Sequence, residues 1–256
     1  MQKHSNATVK TFSIGFEGDD SFDETPYANQ VAQYLETDHT PFTVKPDAMG
    51  LLSDLVWHHD QPFADSSAIP TYLVSKLTRE HVTVALTGDG GDELFAGYDR
   101  FYAAKLFHQL RYIPRPLWKG LAGIMDLLPE GTGYYNKIKR AGRFARAASQ
   151  PIFDAYFDLV RVFNAELASE ISKQPHAVRA SIQQWQPTPM GKPLISLVEA
   201  NMVTYLPDDL LIKTDRCSMQ ASLEARAPFL DHKLVEYAAT IPFNLKLKGS
   251  TTKYIL

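Results

Sequence analysis

Apolar and polar positions alternate from Val9 to Phe16, with Phe12, Ile14 and Phe16 on one side and small or polar residues on the other. A period of two over this length predicts a β-strand, which ends in the turn-rich stretch Glu17 to Ser21. The period then lengthens. Pro26 stands near the start of a helical pattern through Tyr27, Val31, Tyr34 and Leu35, with Asp23 or Thr25 available as its cap. A short strand is predicted from His39 to Val44. Asp47 opens a second helix with Met49, Leu52, Leu55 and Val56 on one side, and a third runs from about Ser67 to Glu80 through Ile69, Leu73 and Leu77. Val82 to Leu86 (VTVAL) is a compact β-branched run. The order strand, helix, strand, helix, helix, strand predicts an α/β fold, a mostly parallel sheet covered by helices.

Past Tyr98 no strong β run is present, and segments from Phe101, Phe144, Ile152, Val178 and Leu194 onward repeat at a period of 3.6. The expectation is an α/β part over about residues 1–98 and a wholly helical part over about 99–256. Pro and Gly cluster at Ile113 to Pro116, Pro129 to Gly133 and Pro187 to Pro193, which marks connections between helices.

Composition narrows the function classes. The chain has 256 residues, 45% of them apolar, enough for a substantial core. Its formal charge of -3, from 26 basic and 29 acidic residues, gives no broad attraction to nucleic acid or anionic lipid, so any anionic ligand must be held locally. One cysteine, Cys217, excludes an internal disulfide framework and a Cys-rich zinc site. No window approaches the roughly 18 to 20 apolar residues that span a bilayer, and residues 1–20 lack the apolar core of a signal peptide. A cytoplasmic protein without membrane or nucleic-acid partners is expected.

The most informative stretch is Thr87 to Tyr98, TGDGGDELFAGY, at the carboxyl end of the VTVAL strand. In open α/β sheets that edge is where ligands bind. Gly88, Gly90 and Gly91 permit a sharp turn and close approach of backbone to ligand, and amides at the following helix start favour phosphate. Asp89 and Asp92 would repel phosphate unless a divalent cation lies between, which suggests a nucleotide with Mg2+. The alternative is a capped turn, with both aspartates serving the helix start.

TGDGGDELFAGY resembles the Ser-Gly-Asp/Glu-Gly-x-Asp-Glu-x-Phe-x-Gly-Tyr signature of the asparagine synthetase family. Two further blocks match in order, Tyr205 to Asp231 (YLPDDLLIKTDRCSMQASLEARAPFLD) and Lys253 in TTKYIL, and Asp60 to Lys76, upstream of the motif, joins the match. The resemblance implies an N-type ATP pyrophosphatase fold and ATP-dependent adenylation of the aspartate β-carboxylate, followed by attack of ammonia to give asparagine and AMP. By resemblance, Thr87 and Gly88 contact ATP, Ile14 lies against adenine, Asp92 ligates Mg2+, Asp89 serves formation of β-aspartyl-AMP, and Lys253 neutralises charge on the phosphates. Synthetases of this fold that close a β-lactam ring carry a tyrosine where this chain has Asp89, which favours amide formation.

Weaker candidates are Asp208 or Asp209, which could orient a catalytic partner, and Lys213, Asp215 and Arg216, which could build a site wall by ion pairing. Glu224 and Arg226 are expected to form a structural salt bridge before Pro228. Asp65, Ser66 and Ser67 read first as a helix cap. His58 and His59 read as structural, because adjacent helical residues point in different directions. Phe144, Phe153, Tyr156 and Phe157 read as core.

Residues 1–16 contain no match to the family's Ser-Gly-Gly-x-Asp-Ser pyrophosphate loop, and no glutaminase domain is present. The expectation is therefore a synthetase domain cut at both ends, with ammonia supplied by a glutaminase domain that lies elsewhere. Members of the family commonly associate, so a homodimer is compatible with the sequence. The alternatives are an amidotransferase acting on another carboxylate and a nucleotide-binding module without catalysis.

Overall fold

The computed structural model describes residues 1–17, 23–44, 48–126, 134–160, 170–171 and 193–256. The expectations placed on Asp47, Val178 and the Pro129 to Gly133 connection lie outside the described residues. In chain order the main elements are β1 (Lys10–Phe16), α1 (Thr25–Leu35), β2 (Asp38–Val44), α2 (Ala48–His59), α3 (Ala68–Arg79), β3 (Val84–Leu86) and α4 (Gly91–Phe95). They continue with α5 (Asp99–Gln109), α6 (Arg115–Asp126), α7 (Tyr134–Ala148), α8 (Ile152–Asp158) and α9 (Pro193–Val203). A π-helical turn at Leu206–Leu211 leads into α10 (Ile212–Gln220), followed by β4 (Glu224–Arg226), α11 (His232–Thr240) and α12 (Phe243–Lys246).

The chain folds as two compact units, one made of Met1–Gly88 with Pro207–Pro228 and the other of Asp89–Leu206 with Phe229–Leu256. A cut at residue 98 does not describe this division, because the segment around α10 and β4 returns to the first unit.

In the first unit β1 pairs with β2 in parallel, Ile14 opposite Phe42. The Phe12 and Phe42 rings stack at 5.9 Å on one face. On the other face His39 joins Thr11 and Ser13, with Nδ1 2.9 Å from Thr11 Oγ1 and Nε2 3.1 Å from Ser13 Oγ. Before α1, the Asp23 carboxylate accepts from the Thr25 amide at 3.0 Å, and Pro26 lies in the first turn where its missing N–H costs nothing. β3 pairs in parallel with β4. The described strands thus form two separate two-stranded parallel ladders rather than the single sheet expected from the element order.

Two elements correct the sequence expectation for the second half. β4 breaks the wholly helical pattern: Glu-Ala-Arg carries no β signal, and it is extended because its ladder partner β3 lies far back in the chain. Glu224 and Arg226 do pair there, Nε to Oε1 at 2.6 Å, between mostly exposed side chains. The helix α6 begins inside the Ile113 to Pro116 stretch read as a connection, with Pro116 tolerated in its first turn.

The first unit's core gathers Leu55, Ala68 and Cys217 with Phe63 and Tyr72 at its edge. Burial raises the Cys217 thiol to about 11, so it is held protonated and unreactive. His59 belongs to this unit as a buried structural residue, Nδ1 2.7 Å from the Leu55 carbonyl and its ring 4.6 Å from that of Phe63. The second unit's core packs Phe101, Phe107, Tyr156, Phe157 and Leu197, with Phe144 and Phe153 against it, so these aromatics form a helical core as their spacing indicated.

Candidate active site

The motif straddles the two units, with Thr87 and Gly88 closing the first and Asp89 opening the second. Thr87 extends the β3–β4 ladder, its amide donating to the Arg226 carbonyl at 2.8 Å. Gly88 faces open space: a Cβ there would meet nothing within 4 Å. Among the described residues no contact demands glycine at this position. Ile14 is half-buried on β1, beside a groove of about 740 Å3 that is also lined by Tyr27, Val31, His39 and Val74.

Of the motif's glycines in the turn, Gly90 alone requires the freedom attributed to all three. Its φ is +90°, and a Cβ would lie 2.3 Å from Leu230 Cδ2. Gly91 has no positive φ and would place a Cβ at an ordinary 3.5 Å from Phe229. The helix that follows, α4, is only 5 residues long, and its first turn carries Asp92 and Glu93. That acidic turn replaces the expected phosphate-binding helix start.

Asp92 and Lys253, 161 positions apart by their numbers (253 − 92), are brought together in the second unit: Lys253 Nζ lies 2.8 Å from Asp92 Oδ1. Both side chains are partly exposed, 45% and 38%, so the pair contributes at most about 1 kcal/mol to stability. Two left-handed residues frame it, Ala96 at φ 53° and Lys253 itself at φ 49°. Backbone in this region is disfavoured for L-residues by about 1–2 kcal/mol, a local cost of presenting the lysine from that turn. Asp89 is half-buried.

Gly97 makes room for Asp92. Its amide donates to the Asp92 carbonyl at 2.8 Å, and a Cβ on Gly97 would fall 1.7 Å from Asp92 Oδ1 and 2.9 Å from its Cα. Gly97→Ala is therefore expected to expel the carboxylate from its place beside Lys253. It should lower stability by about 1–3 kcal/mol, the usual range for overpacking. A urea titration measures the second effect, and a structure of the variant with the Asp92–Lys253 pair intact would refute the first.

Sequence reading missed the support beneath this turn. Glu93, 1% exposed, accepts a short hydrogen bond from the Tyr98 hydroxyl. Burial and then Glu93 raise the Tyr98 phenol above its ordinary range and keep it the donor. The Arg100 guanidinium stacks 3.7 Å over the Tyr98 ring and 4.5 Å over that of Tyr205. It also donates to Tyr156 Oη at 2.8 Å and to Asn201 Oδ1 at 3.1 Å. Glu93 and Tyr98 lie in the motif and were available to inspection. Asn201, 101 positions from Arg100, has no local signal.

In the first unit Lys213 pairs with Asp65, from outside its own block, at 2.6 Å and also donates to Ser67 Oγ at 2.7 Å. Asp65 accepts from the Ser67 amide at 2.9 Å, so it anchors the start of α3 as well. Burial pushes the Asp65 carboxyl up, but hydrogen bonds from Lys213 and Ser67 outweigh it and hold the group below its ordinary value. A depressed carboxylate contributes stability above its unfolded pKa of about 3.9, and that contribution is lost as pH falls through the lower folded value. Asp65→Asn is expected to lose about 2–3 kcal/mol at neutral pH, toward the lower end for a broken buried pair, since the side chains retain some exposure. Unfolding free energies of variant and wild type should converge as pH falls through that lower folded value; a gap that stays constant throughout the acid range would refute this.

An acid-rich loop at the carboxyl end of a parallel strand, with a lysine drawn to its second aspartate, places the chain among helix-rich α/β proteins with a built polar site. The chain belongs to the asparagine synthase family, whose model matches residues 1–256. It is 32% identical over 261 residues to the protein named asparagine synthetase [glutamine-hydrolyzing] 1 of Bacillus subtilis (strain 168), covering 100% of this chain and 40% of that one. A putative asparagine synthetase [glutamine-hydrolyzing] 2 of Methanocaldococcus jannaschii is 42% identical over 129 residues, 46% of this chain and 25% of its own length. The amidase chyE of Penicillium rubens is 27% identical over 275 residues, 94% of this chain and 38% of its own. The chain thus spans about two fifths of the length of the relatives that it matches end to end.

Proposed function

We propose that this chain is the synthetase portion of a glutamine-dependent asparagine synthetase, with an N-type ATP pyrophosphatase fold. In this reading ATP adenylates the β-carboxylate of aspartate, releasing pyrophosphate, and ammonia from a glutaminase domain displaces AMP to give asparagine. A carboxylate is a poor electrophile, and the mixed anhydride with AMP supplies the leaving group before the amine arrives. The observation that carries the reading is the 2.8 Å pair of Lys253 and Asp92 beside the TGDGGD turn. It supports the reading by bringing one cation and one carboxylate together, the two kinds of group that a triphosphate with a divalent cation uses.

The donor set fits Mg2+, a hard cation that commonly takes one or two carboxylates plus substrate phosphates. Asp92, with its carboxylate over the Cβ-free face of Gly97, would hold the ion, which when bound would offset phosphate charge. Lys253 is released from Asp92 at little cost, the pair being half exposed, and turns to the phosphates. Thr87 and Gly88 bound the nucleotide, Ile14 lines the groove that takes adenine, and Asp89 serves the adenylation step.

The test is aspartate-dependent production of pyrophosphate and AMP by the full-length protein with ATP, Mg2+ and glutamine. Production driven by a different carboxylate in place of aspartate would shift the reading to another amidotransferase, an outcome that the amidase relatives make worth including. Calorimetric titration of the present chain with ATP and Mg2+ addresses binding alone: no heat at millimolar nucleotide would refute nucleotide binding by these residues.

A further inference from the structure

The helix that carries Asp92 is too short to hold its own direction. α4 has 5 residues, and so short a helix is unstable by itself in water, so its orientation is set by whatever grips its side chains. Leu94 and Phe95 are gripped by an apolar cluster with Ala238 and Ile241. Glu93 is held by a different device. Its buried carboxylate accepts from the Tyr98 hydroxyl across the α4–α5 connection, and the Tyr98 ring lies beneath the Arg100 guanidinium. Arg100 in turn donates to Tyr156 on α8 and Asn201 on α9. Asn201 closes the ring of contacts, its Nδ2 donating to Tyr156 Oη at 2.8 Å and to the Leu197 carbonyl at 2.6 Å. Tyr156 and Asn201 are fully buried, so this strut ends in the packed core of the second unit. Its other end brackets Asp92: Glu93 is the next residue, and Gly97, the neighbour of Tyr98, donates its amide to the Asp92 carbonyl.

We infer that Tyr98 and Arg100 are positioning residues for Asp92, acting through Glu93 to fix the direction of its carboxylate and so the affinity of that carboxylate for the divalent cation of a metal–nucleotide complex. The inference rests on the metal role proposed for Asp92. A ligand whose backbone is already ordered gives up little entropy when an ion arrives, and losing the groups that orient a metal ligand commonly costs about 10–100-fold in metal affinity. Arginine suits the place because its plane stacks on Tyr98 and Tyr205 while its N–H groups donate to Tyr156 and Asn201, a combination that an ammonium does not reproduce. The side chains of Tyr98 and Arg100 are committed to the strut, so the metal requirement should move while the requirement for the carboxylate substrate stays.

The experiment compares Tyr98→Phe, which keeps the ring and removes the hydroxyl, with Arg100→Lys, which keeps the charge and removes the plane, both in the full-length protein. Hydrogen-exchange mass spectrometry without ligand follows the amides of Leu94 and Gly97, which donate to the Gly90 and Asp92 carbonyls. These are expected to exchange about tenfold or more faster in both variants, while amides of α3 in the first unit keep their wild-type rates. The Mg2+ concentration for half-maximal pyrophosphate release is expected to rise about 10–100-fold, with the KM for aspartate within about twofold of wild type. Should Arg100→Lys fail to fold, Tyr98→Phe decides both readouts. Unchanged exchange at Leu94 and Gly97 would overturn the positioning role, and faster exchange with an unmoved Mg2+ requirement would overturn its link to the metal. A wild-type protein that releases no pyrophosphate with ATP and Mg2+ would overturn the proposed function instead, with the exchange rates still deciding whether Tyr98 and Arg100 hold the turn.

Discussion

Lys253→Ala and Asp92→Asn in the full-length protein are each expected to cut aspartate-dependent pyrophosphate release by about 10²–10³-fold, while stability changes by less than about 1 kcal/mol. The two numbers separate the roles of one contact. As a salt bridge, the 2.8 Å pair joins side chains 45% and 38% exposed, where solvent screening leaves little net energy. As a source of charge opposite developing phosphate charge, the same lysine acts with its surroundings already ordered, and such preorganised cations are worth several kcal/mol in a transition state. The readout is steady-state pyrophosphate production beside urea unfolding of each variant. Normal turnover in Lys253→Ala would remove the lysine from the chemistry, and a loss of stability matching the loss of turnover would make the pair structural.

A second large effect is expected at Gly90. Gly90→Ala should lower the unfolding free energy by about 3 kcal/mol, from two sources of similar size. A φ of +90° is costly for any residue with a Cβ, and the new methyl would sit 2.3 Å from Leu230 Cδ2 and 2.8 Å from its Cγ. The sources can be told apart by the double variant Gly90→Ala/Leu230→Ala. Relative to Leu230→Ala alone, adding Gly90→Ala should then cost only the backbone part, about 1–2 kcal/mol. Denaturation midpoints of the four proteins give the cycle. A neutral Gly90→Ala would mean that the turn relaxes to a different backbone, and with it the direction in which Asp92 leaves α4.

Local chemistry was legible from residue order wherever one element carries its own signal. The alternation of Phe12, Ile14 and Phe16 found β1, the 3.6 period from Ile69 to Leu77 found α3, and the aromatics Phe144 to Phe157 declared themselves core. The motif TGDGGDELFAGY marked the turn that holds Asp92, because glycine and aspartate at such density have few structural uses. Of the two histidines read as structural, His59 is buried and His58 is exposed, and Cys217 is buried.

Pairing across distance was decided by the tertiary structure alone. β4 is extended because β3 presents a free ladder edge, not because Glu-Ala-Arg favours a strand. Lys213 finds Asp65, and Arg100 finds Asn201, across more than a hundred positions, and nothing in either neighbourhood encodes the partner. The need for glycine at positions 90 and 97 is likewise spatial, since it depends on Leu230 and on the Asp92 carboxylate occupying the volume of a missing methyl. Residue order by itself determined the helices, the first strands and the acidic turn, because those follow from periodicity and backbone freedom within a few residues. The meeting of Lys253 with Asp92 required the fold, because charge attraction this weak cannot draw together groups so far apart in the chain and must inherit its geometry from packing.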